Sequence, residues 1–335
     1  MEKILIIKLG ALGDVVRTLP VLPAIKQKHP NSEITWITKE SSKDLFNNNK
    51  YVDNLSILGD EIPKEFDIVY NFDIETQATK IAMNTNAKQK FGFYSQGDYA
   101  APFNVSAEYY LNTLFDDELK KTNRKTYQEI MFGAAEIPYN QEIPEINLSE
   151  EEITFGKKFL ENNDLVGKKI IGLHLGSSPR WPSKAWHIDK VKEFIIRAKE
   201  SGFEILVFGG PDEKGKFDSF AEELEEKGAR IYMNNFDNTI REFASLVNIC
   251  DNIVCGDSFS LHIALSLKKP TTALFFCTTP HEIEGYDLLT KITSPMFEEF
   301  FPERSDQYSE ELVNSISVEE VLDSILEPFT STPDS

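Results

Sequence analysis

Short, uninterrupted apolar runs recur along this chain, each followed by a segment with helical spacing. Ile4-Leu5-Ile6-Ile7 is the first, and KKIIGLHLG, FEILVFGG, NIVCG and PTTALFF continue the series in the second half. Runs of four to eight apolar residues suit strands buried on both faces, which is the environment of a parallel sheet covered by helices. The chain therefore reads as α/β, with doubly wound parallel sheets.

The alternation occurs twice. In the first half, ILIIKL, EITWITK, VDNLSIL, DIVYNFD and KQKFGFY read as strands, with helices at 15–28, 43–48 and 75–85. Residues 98–125 look irregular and aromatic, as a surface insertion would. A polar stretch, NQEIPEINLS, precedes a capping signal in which Ser149 stands three residues before Glu152. We place the domain boundary there, giving 1–148 and 149–328 with a tail at 329–335. The second half repeats strand and helix more regularly, and closes on an amphipathic VEEVLDSIL helix expected to pack back on the first domain. A length of 335 residues with 41% hydrophobic content supports two cores.

Composition excludes several classes. The net charge is −20, of which −6 falls in residues 1–150 and −14 in the remainder. Such a chain is a poor binder of nucleic acid, which needs clustered cations. The first 50 residues carry 8 Lys and Arg against 5 acids, so a local basic rim is expected there. No apolar run approaches the ~18 residues of a membrane-spanning helix. The opening segment is not expected to act as a secretory signal, because Lys8 and Asp14 interrupt it. Cys250, Cys255 and Cys277 lack zinc-ligand spacing and read as buried thiols.

Four loops that follow apolar runs carry chemistry. Gly10-Ala-Leu-Gly13-Asp14 puts an acid at the start of a helix, where loops more often receive an anion. Asp14 is either a first-turn acid or a base facing an acceptor hydroxyl. HLGSSPRWPSKAW offers Ser177 and Ser178 as hydroxyl donors to a diphosphate and Lys184 as a mobile ammonium, while Arg180 and Lys184 alternatively read as solvated surface charge. FGGPDEKG places Glu213 after Gly209 and Gly210, where an acid either accepts from ribose hydroxyls or favours the next helix dipole. GDSFSLH opens a helix with Asp257, Ser258, Phe259, Ser260 and His262, suited to capping and to phosphate binding.

Together, KILIIKLGALGDVVRTLPVLPAI, HLGSSPRWPSKAWHIDKV, FGGPDE and GDSFSLHIALSLKKPTTALF resemble the ADP-heptose:lipopolysaccharide heptosyltransferases, glycosyltransferase family nine, in order and spacing over most of the chain. The resemblance implies a GT-B fold of two Rossmann-like domains, acceptor on the first and nucleotide sugar on the second. It implies inverting transfer from an ADP-sugar co-substrate, with no metal and no cofactor. Asp14 matches the base, and Lys184 the lysine that steadies the donor phosphates. Ser177, Ser178, Gly209, Gly210, Glu213, Asp257, Ser258, Phe259, Ser260 and His262 match the donor site. Lys8, Gly13 and Arg17 fall on the acceptor side. The implied partners are a nucleotide sugar and a glycan or glycolipid acceptor, in the cytoplasm with peripheral contact at the inner membrane. Phe259 and Phe276 replace glycines of the family pattern, and Thr279 an acid. Phe259 and Phe276 keep open a non-catalytic nucleotide-sugar-binding relative, and a GT-B sugar-nucleotide epimerase is a separate alternative. An NAD-dependent dehydrogenase fits poorly, since GALGD lacks the glycine fingerprint.

Overall fold

A computed structural model of the chain describes residues 1–174, 176, 180–210 and 214–326. It divides into two compact units, Met1–Asn147 with His281–Glu284, and Leu148–Pro280 with Gly285–Ser335. Each is built on one six-stranded sheet.

The first unit runs β1 (Glu2–Ile7), α1 (Leu12–Thr18), α2 (Val21–Lys28), β2 (Ser32–Thr38), a 3-10 segment (Glu40–Phe46), β3 (Asn54–Ile57), β4 (Glu65–Asn71), α3 (Thr76–Asn84), β5 (Asn86–Gln96), β6 (Tyr99–Pro102), α4 (Val105–Phe115), α5 (Asp117–Thr122) and α6 (Tyr127–Ala134). The sheet order is β3-β2-β1-β4-β5-β6, with only the β5–β6 pair antiparallel. Ile4 to Ile7 are fully buried in the central strand, as their unbroken apolar run requires. The helix expected over 15–28 is two helices, because Pro20 supplies no N–H to continue the ladder. The stretch expected to be irregular instead forms β6, α4 and α5. Gly97, at φ +66°, lets the chain turn back into β6, and Ala107 and Leu111 bury one face of α4. Gly92 has no substitute: at φ +85° a Cβ there would lie 1.9 Å from the Asn71 carbonyl oxygen.

The second unit runs α7 (Glu150–Asn162), β7 (Lys169–His174), a 3-10 turn (Pro182–Lys184), α8 (Ile188–Glu200), β8 (Phe203–Phe208), α9 (Lys214–Glu226), β9 (Tyr232–Met233), α10 (Ile240–Asn248), β10 (Asn252–Gly256), α11 (Phe259–Ser266), β11 (Thr271–Phe275), β12 (Leu289–Thr293), α12 (Phe297–Phe300), α13 (Glu310–Asn314) and α14 (Val318–Leu326). All its strand pairs are parallel, in the order β12-β11-β10-β7-β8-β9. Ser149 and Glu152 form the capping box of α7, and Glu152 also grips the nearly buried Arg241 of α10 at 2.6 and 2.7 Å. The closing helix, expected on the first domain, packs within the second. Val318, Val321 and Leu322 of α14 join the core with Val191, Phe194 and Ile195 of α8, and Arg197 bonds Glu319. Burying such apolar side chains contributes about 1.5–3 kcal/mol each, which fixes where an amphipathic helix goes. The three cysteines are free and buried, and burial pushes the Cys255 thiol up to about 12.

Candidate active-site residues

Parallel sheets present their working loops at the carboxyl ends of the strands. In the first unit, Lys8 and Leu9 follow β1, and Phe72 and Asp73 follow β4. Asp73 ties these loops together. It accepts from the Leu9 N–H at 2.9 Å and the Glu75 N–H at 2.8 Å, and its carboxylate lies 3.5 Å from the Lys8 ammonium. Lys8 is 5% exposed and also donates to the Phe72 carbonyl at 3.0 Å. Burial lowers its pKa, but Tyr127, Asp73 and Asp14 outweigh burial and hold the ammonium above its ordinary range. Lys8 is thus held within the loop.

Asp14 lies in the first turn of α1 with Gly13, and Arg17 follows one turn later. The Arg17 guanidinium meets Asp14 Oδ1 at 2.6 Å and lies over the Tyr127 ring, its Cζ 3.8 Å from the centroid. Asp14 keeps 34% of its side chain exposed, so its carboxylate is oriented yet reachable. The basic rim expected over the first 50 residues is largely neutralised: Lys26 pairs with Asp53, Lys39 with Glu75, Lys43 with Glu40 and Lys50 with Glu145.

In the second unit, Lys184 ends its 3-10 turn against the end of β10. Its ammonium binds Asp257 Oδ2 at 2.7 Å and the Asp257 carbonyl at 3.2 Å. The lysine expected to be mobile is therefore held. Burial works against the charged Asp257 carboxyl, but Lys184 and His262 outweigh it and keep its pKa below the usual range. The approach needs Gly256, where a Cβ would sit 2.8 Å from the Lys184 carbonyl oxygen.

Ser258 occupies the N-cap position of α11 without a side-chain bond to the helix amides. Its hydroxyl pairs instead with Ser260 Oγ at 2.8 Å and His174 Nδ1 at 3.4 Å. Burial pushes the His174 imidazole down to about 4, so it stays neutral at physiological pH. Phe259 stacks on Phe243, with centroids 5.8 Å apart, and Phe243 abuts Phe208. Phe276 is 1% exposed, in the core. Gly209 exchanges both backbone bonds with the Asn234 amide, at 3.0 and 3.2 Å. Gly210 follows it, and His262 is buried within α11. Ser177, Ser178 and Glu213 lie outside the described residues. Among the described residues no group of three or more His, Cys, Asp or Glu side chains could hold a metal, and no helix is long and apolar enough to cross a membrane.

The profile of glycosyltransferase family 9 (heptosyltransferase) matches residues 58–313. The chain belongs to glycosyltransferase family 9. It is a glycosyltransferase, as its motifs implied, and its relatives agree over most of their length. The lipooligosaccharide heptosyltransferase 2 of Haemophilus ducreyi is 23% identical, covering 83% of this chain and 84% of that one. The lipopolysaccharide heptosyltransferase 1 of Campylobacter coli is 24% identical, covering 82% and 84%. The fold matches the glycosyl transferase family 9 crystal structure from Veillonella parvula with a TM-score of 0.77, at 18% identity over 97% of this chain and 96% of that one. It matches E. coli ADP-heptose lps heptosyltransferase II at 0.71, with 16% identity over 96% and 97%. The GT-B architecture expected of two Rossmann-like domains is the one observed.

Within this glycosyltransferase, Asp73, Gly256, His174, Asn234 and Tyr127 escaped the sequence reading. Asp73 had a usable signal, a carboxylate just past the buried strand DIVYN. The others meet partners 25 or more residues away, which no local pattern marks.

Proposed function

We propose that this glycosyltransferase moves a heptose from an ADP-activated donor to a hydroxyl of a lipopolysaccharide core or other glycan, with inversion and without a metal. The observation that carries the reading is the Lys184–Asp257 pair beside the N-terminus of α11, which has no side-chain cap. A helix start of this kind, with two serine hydroxyls and a held ammonium, suits a diphosphate. The names of the relatives supply the sugar and acceptor classes. Asp14 removes the acceptor proton as its oxygen attacks the anomeric carbon, and the bond to the ADP phosphate oxygen breaks on the opposite face. Charge growing on the departing phosphate is met by Lys184 and the amides of α11, in the role a metal fills elsewhere. The acceptor would be met at the inner membrane surface from the cytoplasmic side. Phe259 and Phe276, the motive for a non-catalytic alternative, pack against protein, so no second reading is favoured.

Calorimetric titration with ADP, UDP, GDP and NAD, with ADP-heptose alongside, tests the donor. Selective micromolar ADP binding is expected. Preference for UDP or GDP would remove the heptose assignment, and absence of all binding would remove the donor site. Transfer from ADP-heptose should survive EDTA and give the opposite anomer.

A further inference from the structure

We infer that Tyr127 is a positioning residue for Asp14, acting through Arg17 and through the backbone of α1. The inference rests on the reading of Asp14 as the base.

Tyr127 opens α6, whose N-terminus is fixed by the Thr126–Glu129 capping box. Its N–H donates to the Glu282 carbonyl at 2.9 Å, and its side chain is 1% exposed. Two contacts lead from it to Asp14. The Thr18 hydroxyl donates to the Asp14 carbonyl at 2.6 Å and lies 3.0 Å from the Tyr127 hydroxyl. Thr18 has one hydroxyl hydrogen, already given to Asp14, so Tyr127 must be the donor to Thr18. The ring face is the second contact. It carries the Arg17 guanidinium, and Arg17 Nη2 holds Asp14 Oδ1. Among the described residues, the buried Arg17 Nε has no hydrogen-bond partner. The Tyr127 face and the Asp14 carboxylate therefore set the angle of the guanidinium, with no bond at Nε to hold it alone.

Tyr127 touches neither the Asp14 carboxylate nor, being buried, a substrate. A tyrosine here does more than fill volume, because its ring face holds the cation that the base sees. Among the described residues, the charged and titratable groups near Asp14 include Lys8 just past β1, Arg17 on α1 and Tyr110 on α4, with Tyr127 of α6 and Asp73 acting on Lys8 and Glu282 acting on Arg17. Removing the ring frees Arg17, and a carboxylate that loses a cation at 2.6 Å becomes easier to protonate.

The test compares wild type with Tyr127→Leu, Tyr127→Phe and Arg17→Gln, by NMR titration of the 13C-labelled Asp14 carboxyl and by the pH profile of transfer from ADP-heptose. Tyr127→Leu should move the Asp14 titration and the acid limb of kcat to higher pH. It should lower kcat about tenfold or more, with the donor KM unchanged. Tyr127→Phe, which keeps the ring face and loses only the bond to Thr18, should restore the wild-type titration and lower kcat less than Tyr127→Leu. Arg17→Gln should reproduce the upward move, so the proposal stays testable if Tyr127→Leu fails to fold. An Asp14 titration unmoved by Arg17→Gln, or by a folded Tyr127→Leu, overturns the proposal. Wild-type transfer by Asp14→Asn would instead overturn the base assignment, while the carboxyl titration, which needs no turnover, would still judge Tyr127.

Discussion

In the first unit Asp14 stands in a nearly neutral set, with Arg17 and Lys8 balanced by Asp14 and Asp73 around two tyrosines. In the second, one ion pair, Lys184–Asp257, sits beside hydroxyls and helix amides with a neutral histidine behind them. The first set leaves one carboxylate oriented and partly exposed, the arrangement a base needs. The second is rich in donors, the arrangement a departing anion needs. Distinct variants should therefore damage distinct steps.

The largest effect is expected from Asp14→Asn. Losing a positioned base should lower kcat by about a thousandfold, while the ADP dissociation constant measured by calorimetry stays within about twofold. A parallel loss of ADP affinity would erase the division of labour between the two sets.

Lys184→Ala should strike the other side. ADP affinity should fall about 10- to 100-fold with the loss of a charge-assisted contact, measured in the same titration. The variant also leaves Asp257 with its burial and without its main cation, so stability falls too. The sign with pH follows from the direction of the Asp257 shift. Its folded pKa lies below the ordinary 3.8, so the wild-type carboxylate contributes stability that is present above that pH and lost as pH falls further. In the variant, burial favours the protonated carboxyl. The stability gap between the two proteins should be widest near neutrality and shrink as pH falls through about 4, in urea melts read by circular dichroism. A gap constant with pH would mean Lys184 stabilises by packing alone.

Much of this was legible in the sequence because burial writes itself locally. The strands β1, β4, β7, β8, β10 and β11 each carry a short apolar run, and the helices between them imply two largely parallel sheets. What escaped was short or non-local. β12 (LTKIT) alternates weakly and exists because β11 offers it an edge, and α12 and α13 are four and five residues long. Lys184 and Asp257 were both named as site residues, but their pairing spans 73 residues and no spacing announces it. Asp73 reaches Leu9 across 64 residues in the same way. Pro20 was visible, yet helical spacing on either side of it suggested continuity.

The smallest effect tests whether the donor loop tolerates its phenylalanine. Phe259 is the first residue of α11, where the family pattern has glycine and a backbone can approach phosphate closely. Its ring turns onto Phe243, whose ring meets Phe208 at the end of β8, so the aromatic mass joins α10, α11 and the sheet. Phe259→Ala removes one offset-stacked pair and part of a half-buried ring. That should cost about 1–2 kcal/mol in urea unfolding, below the 3–5 of a fully buried phenylalanine. ADP affinity should change by less than about threefold, because on the proposed reading phosphate is met by the amide, which alanine keeps. If ADP instead bound tenfold or more tightly to the alanine variant, the ring would be obstructing the donor loop. The second set would then be a site restrained by its own aromatic packing, and the natural chain would use its donor weakly despite the ion pair beside it.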